Sequence, residues 1–228
     1  MKYCVLALLF AYANALSFQS VKKELKILYS RLDQSYHKDF YCQAPFEIIS
    51  RKNKIILKLI PGKYYSPRKN HKPQTIDWEH IMPAAVFGKK LRCWNKGGRK
   101  ACQKDARFVR MESDIQNIVP VISEINNDRS SYSYATSTDD LPYTQYGNCK
   151  VYTDFKNARF YPAHYSLGYI ARSYLYMIRT YNISIPEEEL KQIKEWDKMY
   201  PPTAKEQFLR TQLHILQNKI LFQETQKR

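Results

Sequence analysis

The chain has 228 residues, of which 44% are hydrophobic and 25% charged, and its 37 Lys and Arg against 21 Asp and Glu give a formal charge of +16. That length carries one generous domain and is too short for two comfortable ones. The positive excess fits a polyanionic partner, because Lys and Arg release counterions from phosphates, but it leaves the chemistry open.

Taken in order, Met1 to Ala15 reads as a secretory signal peptide: Lys2 is a short charged start, Cys4 to Ala11 an apolar run, and Ala13-Asn14-Ala15 a small-x-small cleavage site. Its removal takes away one Lys and no acid, so +16 becomes +15. No later stretch approaches the ~18 apolar residues of a membrane span. From Ser17 to Phe40, apolar residues at Val21, Leu25, Leu28, Leu32 and Tyr36 predict a packing helix. Phe40 to Ser50 and Lys54 to Tyr65 read as strands. Ser66 to Pro73, rich in Arg, Lys and His, reads as a solvated loop.

Thr75 to His80 should be a strand, with Pro83 and Gly88 preventing its continuation. Ile81 to Arg110 then forms a long basic excursion, and Phe108 to Gln116 a short helix. Asn117 to Val119 returns as the second strand, after which Pro120 suits the first position of a helix reaching about Arg129. Ser130 to Cys149 reads as irregular, and Val151 to Tyr161 as a strand. Pro162 to Tyr181 is helical, with Arg159, Arg172 and Arg179 as candidate phosphate contacts and its aromatics read as core. A helix starting at Ser184 buries Leu190, Ile193 and Trp196, Tyr200-Pro201-Pro202 stops it, and Thr203 to Gln223 is the last helix.

After export, Cys42, Cys93, Cys102 and Cys149 remain, an even count that reads as disulfides with three pairings open. Cys93 with Cys102 and Cys42 with Cys149 is the preferred set, since the first two bracket a Gly-Gly loop able to turn back on itself. Zinc is disfavoured, because there is no Cys-x-x-Cys and no His at ligand spacing.

The chemistry concentrates around Asp77-Trp78-Glu79-His80-Ile81-Met82-Pro83, which sets an oxygen ligand for a hard cation beside a titratable base. Alone the pair says little. It is followed by Arg92-Cys93-Trp94-Asn95-Lys96-Gly97-Gly98-Arg99-Lys100-Ala101-Cys102, by Met111-Glu112-Ser113-Asp114-Ile115-Gln116-Asn117-Ile118-Val119-Pro120, and by Glu124-Ile125-Asn126-Asn127-Asp128-Arg129. In this order and spacing the stretches resemble those of the bacterial endonuclease I family, secreted or periplasmic nonspecific nucleases with a His-Me finger (ββα-metal) site. The likeness is strong from about Trp78 to Arg129 and returns, less specifically, over Gly168 to Met177 and Trp196 to Pro201.

The resemblance implies an α+β fold: a single domain over residues 16–228 with a ββα-metal core, a small antiparallel sheet and several packing helices. It implies His80 as general base, Arg99 as the holder of the cleaved phosphate, Glu79 and Asn126 as metal ligands, and Asn117 as support in the second strand. One carboxylate and one amide oxygen, completed by water and phosphate, suit one Mg²⁺, with Mn²⁺ or Ca²⁺ able to take its place. Asn127 is the neighbour of Asn126, and a slip of one helical position would exchange the two; the family usually has Gly there. The implied partners are double- and single-stranded DNA and RNA, met by a monomer in the periplasm or beyond the cell.

Two departures stand out. Relatives generally carry more cysteines, and a Gly-Asn-His-Asn-Pro segment where this chain reads Leu216-Gln217-Asn218-Lys219-Ile220. The alternative class is a noncatalytic exported nucleic-acid binder, against which the intact Glu79, His80, Arg99 and Asn126 argue. A metalloprotease would need a His-Glu-x-x-His that is missing.

Overall fold

Ser17 starts the first helix, α1 (Phe18–Tyr29): its hydroxyl accepts from the Ser20 N–H at 3.1 Å, and the Ser20 hydroxyl accepts from the Ser17 N–H at 3.0 Å. A computed structural model describes residues 16–52, 54–60, 62, 65 and 75–226. The leader expected over residues 1–15 and the basic loop from Ser66 to Pro73 lie outside the described residues. Helix α1 buries Val21, Leu25 and Tyr29, the first part of the expected stripe. It stops well short of Phe40, because the Ser30 hydroxyl donates to the Ile27 carbonyl and Asp33 caps a separate turn over Gln34–Tyr36.

Strands β1 (Phe46–Arg51) and β2 (Lys54–Leu59) form an antiparallel pair in which Phe46 faces Leu59. The pair that positions the site is β3 (Ile76–His80) with β4 (Ile118–Ile122), also antiparallel, with Trp78 opposite Pro120 and His80 opposite Ile118. The sequence expectation for Pro120 was wrong: it lies inside β4, and the helix begins at Ser123. A two-stranded sheet leaves each strand an outer edge, where a residue without an N–H is tolerated. There the Pro120 carbonyl accepts from Phe40 N–H at 2.9 Å.

The excursion between β3 and β4 is built from short helices: α2 (Ala84–Gly88), α3 (Gly98–Cys102) and α4 (Ala106–Glu112), with tight turns at Trp94–Lys96 and Ile115–Asn117. At Gly88 a Cβ would stand 2.1 Å from the Trp94 ring, so only glycine lets that indole pack down toward Phe108. The Cys93–Cys102 and Cys42–Cys149 disulfides both form, each with a Cα–Cα separation of 4.9 Å. The first ties the two ends of the segment carrying Arg99.

Behind β4 comes α5 (Ser123–Arg129), completing a strand–strand–helix unit. A three-stranded sheet follows, of β5 (Ser133–Tyr134), β6 (Tyr152–Asp154) and β7 (Arg159–Tyr161), with β7 central and β5 parallel to it. The single strand expected over Val151 to Tyr161 is thus a hairpin. Its turn is closed by the Asp154 carboxylate, which accepts from the backbone and side chain of Asn157 at 2.9 and 2.7 Å. Helices α6 (His164–Tyr181), α7 (Glu187–Met199) and α8 (Ala204–Thr225) complete an α+β domain. Among the described residues no helix is long and apolar enough to cross a membrane.

Candidate active site

Glu79 and His80 are neighbours on β3, where successive side chains normally face opposite ways. The strand ends at His80, and both side chains line one cleft of about 420 Å³. Arg99, Asn126, Asn127 and Arg129 line the same cleft, so the four residues singled out by the sequence converge.

The His80 ring is buried. Its Nε2 lies 2.7 Å from the Glu112 carbonyl oxygen. Because a carbonyl only accepts, Nε2 carries the proton and Nδ1 keeps its lone pair. Phe18 covers the imidazole at 4.5 Å between ring centroids, with Phe87 edge-on at 6.5 Å. Burial is the main force pushing the His80 pKa down to about 4, aided by the charges of Arg99, Arg129 and Lys22. The imidazole is therefore neutral near pH 7.

Glu79 is also buried. Its Oε1 accepts from the Tyr41 hydroxyl at 3.0 Å and lies 3.2 Å from Arg129 Nε as an ion pair. Its Oε2 is buried without a hydrogen-bond partner among the described residues. Burial raises the Glu79 pKa to about 7 against the opposing effects of Arg129 and Tyr41. An orphaned carboxylate oxygen on a residue that lines a polar cleft is what a hard cation would satisfy, so the residues present fit a divalent ion.

Arg129 carries no role in the sequence reading, yet its charge is almost fully enclosed, at 1% exposure. It donates to the carbonyls of His80 and Ile81 at 3.2 and 2.6 Å and stacks its guanidinium over the Tyr134 ring at 4.5 Å. Burial works against its charge, and Tyr134, Glu79 and Tyr41 outweigh that. The guanidinium thus pins the strand end and orients Glu79 together. Asn126 sits one helical turn before it on α5, half-buried at the cleft wall, while Asn127 is exposed.

Arg99 enters through glycine geometry. Gly97 and Gly98 take φ of 150° and 61°, left-handed values that side chains resist, and the reversal delivers Arg99 into α3. Its Nε donates to Glu112 Oε1 at 2.5 Å, while Gln103 holds the other oxygen at 2.9 Å. Half of the Arg99 side chain remains exposed, whereas that of Glu112 is 1% exposed. Glu112, also without a role in the sequence reading, therefore grips the base through its carbonyl and the arginine through its carboxylate. It stands within one of the stretches that carry the family resemblance, but nothing in its neighbours marks it as an anchor.

Asn117 is fully buried and clamps the turn after β3, accepting from Met82 N–H at 2.7 Å and donating to the Met82 carbonyl at 3.0 Å. The three other arginines singled out stand elsewhere. Arg172 is committed to Glu206 through bonds of 2.6 and 2.5 Å and to Asp197 at 3.3 Å, which removes it as a phosphate contact. Arg159 and Arg179 are exposed.

Comparison with known proteins places the chain in a family. The model of the Endonuclease I family matches residues 17–219. A periplasmic deoxyribonuclease of Aeromonas hydrophila is 38% identical over 193 residues, covering 82% of this chain and 76% of its own. An endonuclease-1 of Buchnera aphidicola subsp. Acyrthosiphon pisum is 37% identical over 180 residues, 79% of this chain and 70% of its own. An extracellular deoxyribonuclease of Aeromonas hydrophila is 36% identical over 190 residues, 82% of this chain and 80% of its own. With the family model spanning nearly the whole described chain, the protein belongs to the endonuclease I family.

Proposed function

We propose that the protein is a Mg²⁺-dependent, sequence-nonspecific endonuclease that hydrolyses DNA, and RNA as well, outside the cytoplasm, acting as a monomer through a His-Me finger site. The observation that carries the reading is the pairing, in one cleft, of an unpartnered Glu79 oxygen with a His80 ring whose Nε2–H is already donated to Glu112.

Nδ1 of His80 takes the proton from the attacking water as its oxygen adds to phosphorus; the bond to the 3′ oxygen then breaks, the departing alkoxide takes a proton from solvent to become the 3′ hydroxyl, and a 5′ phosphate is left. Arg99 holds that phosphate with its guanidinium fork while Glu112 keeps the arginine in place. Glu79 Oε2 and the Asn126 amide oxygen would hold the cation, and Arg129 and Tyr41 keep the carboxylate aimed. Mg²⁺, when bound, neutralises charge growing on the phosphate and eases departure of the 3′ oxygen. Among the described residues no three His, Cys, Asp or Glu converge, and a site of one carboxylate and one carboxamide suits Mg²⁺ better than Zn²⁺.

A net positive surface meeting phosphates rather than base edges supports weak sequence preference. The leader pattern, and relatives named as periplasmic or extracellular, support action outside the cytoplasm. The test is conversion of supercoiled plasmid to nicked and linear forms, with RNA as a second substrate. Cleavage should stop with EDTA and return with Mg²⁺; cleavage undiminished by EDTA overturns the reading.

A further inference from the structure

A second groove, of about 400 Å³, lies between the segment from Ser35 to Gln43 and the helices α6 to α8. It has no part in the chemistry above. Its volume falls in the range of small-molecule sites. Three features point to what it would hold.

The first is an orphan on its wall. Tyr169 lines the groove with its ring 5.3 Å edge-on to Phe40 and 4.0 Å from the Arg210 guanidinium, yet its hydroxyl is buried without a hydrogen-bond partner among the described residues. A buried phenol of this kind costs free energy until something meets it. The second is a pair of like charges. The exposed Lys38 and Lys205 both line the groove, and Lys205, which donates to the Ser35 carbonyl, has its pKa lowered by burial and then by the charge of Lys38, against a smaller opposing pull from Asp33. The groove's own acid, Glu206, is spent on Arg172 and Arg210. The third is its aromatic lining, with Tyr165 and Tyr200 offering ring surface and Tyr165 54% exposed, while Tyr36 already carries the Lys205 ammonium over its ring at 4.8 Å.

Flat ring surface, one buried hydroxyl and two exposed ammonium groups match a flat heterocycle that carries an anion. We infer that this groove is a nucleotide-binding site distinct from the catalytic cleft: the base lies against the tyrosines within reach of the Tyr169 hydroxyl, and the phosphate rests on Lys38 and Lys205. Base–aromatic stacking tolerates every base, in keeping with a nonspecific enzyme. The inference deepens the nuclease reading, because the same chemistry belongs to a free product nucleotide and to an unpaired nucleotide of the strand being cut. Helix α1 connects the two places: Phe18, its first residue, lines the cleft and Tyr29, its last, lines the groove. The separation is about 17 Å along the axis, close to five stacked nucleotide steps.

The experiment is titration calorimetry on the full-length mature protein in EDTA, where nothing is cleaved, with 5′-deoxyadenosine monophosphate, inorganic phosphate and a ten-nucleotide single strand as probes. The mononucleotide should bind more tightly than phosphate. Lys38→Ala with Lys205→Ala should weaken it about tenfold or more, and Tyr169→Phe about threefold, with unfolding midpoints unchanged. A decamer that binds about tenfold more tightly than the mononucleotide, and loses that advantage in the lysine variant, identifies a substrate strand as the occupant; equal affinities identify free nucleotide. No binding up to about 10 mM, affinity unchanged in the lysine variant, or affinity lost in Arg99→Ala instead overturns the proposal. Failure of the metal and His80 reading would appear in cleavage assays and not in the mononucleotide and phosphate titrations, because neither probe has a phosphodiester bond to cut.

Discussion

The carbonyl oxygen of Glu112 lies 2.7 Å from Nε2 of His80, and the carboxylate of the same residue holds Arg99 at 2.5 Å. One side chain and its own backbone thus set the spacing between the base and the phosphate holder. Glu112→Gln keeps the carbonyl contact, which is backbone, and weakens only the grip on Arg99. Cleavage should fall about tenfold, the loss of a charge-assisted bond, with its pH profile unchanged. Steady-state rates across pH check this, and an unaltered rate would detach Glu112 from the site.

Asn126→Ala is the cleaner probe of the metal site. Breaking the buried Glu79–Arg129 pair would cost about 3–5 kcal/mol and confuse loss of ligand with loss of fold. Asn126 is half-buried and lies outside that pair. Mg²⁺ at 100 times its dissociation constant should stabilise the parent protein by about 2.7 kcal/mol, and Asn126→Ala should abolish most of that. Asn127→Ala should keep it, since Asn127 is exposed on the next helical position. Thermal unfolding with and without Mg²⁺ measures both, and the reverse pattern would move the ligand to Asn127.

These residues also show how far the sequence could be read. Glu79, His80, Arg99 and Asn126 were singled out through the family resemblance of their stretches, not by local pattern, and the structure brings the four to one cleft. The Cys93–Cys102 bridge was legible because two glycines permit a tight return. Arg129 and Glu112 were not, since what gives them roles is carbonyl oxygens and rings brought from distant segments, such as Tyr134 and the end of β3. Pro120 misled for a related reason. Its local preference for starting a helix was overridden by pairing with Trp78, a partner no local pattern announces.

Removing the Cys93–Cys102 bridge should cost about 3 kcal/mol by the chain-entropy argument, and the Cys42–Cys149 bridge nearer 5 kcal/mol. The two differ in function. Cys93→Ala with Cys102→Ala frees both ends of the segment bearing Arg99, so activity should fall at a temperature where the protein is still folded. Denaturant melts paired with cleavage rates check this, and equal rates before and after loss of the bridge would contradict it.

Asp39 gives a pH dependence. Its buried carboxylate accepts from the backbone N–H groups of Cys42 and Ile122 at 2.5 and 2.8 Å, yet burial raises its pKa to about 7. The native state therefore holds a proton that the unfolded chain releases near pH 4, so this group's contribution declines as pH rises from about 4 to about 7. The slope is at most about 1.4 kcal/mol per pH unit. Asp39→Asn cannot ionise, so the stability difference between parent and variant should shift toward the variant across that window. Denaturant melts at pH 4, 5.5 and 7.5 measure it, and a difference constant with pH would contradict the assignment.

The most direct measurement is single-turnover cleavage of plasmid DNA by His80→Ala at saturating Mg²⁺, with its fold checked by circular dichroism. A buried neutral imidazole acting as the base predicts a loss of about 10²–10⁴-fold with binding of DNA retained. A folded variant that cuts at the parent rate would contradict the account.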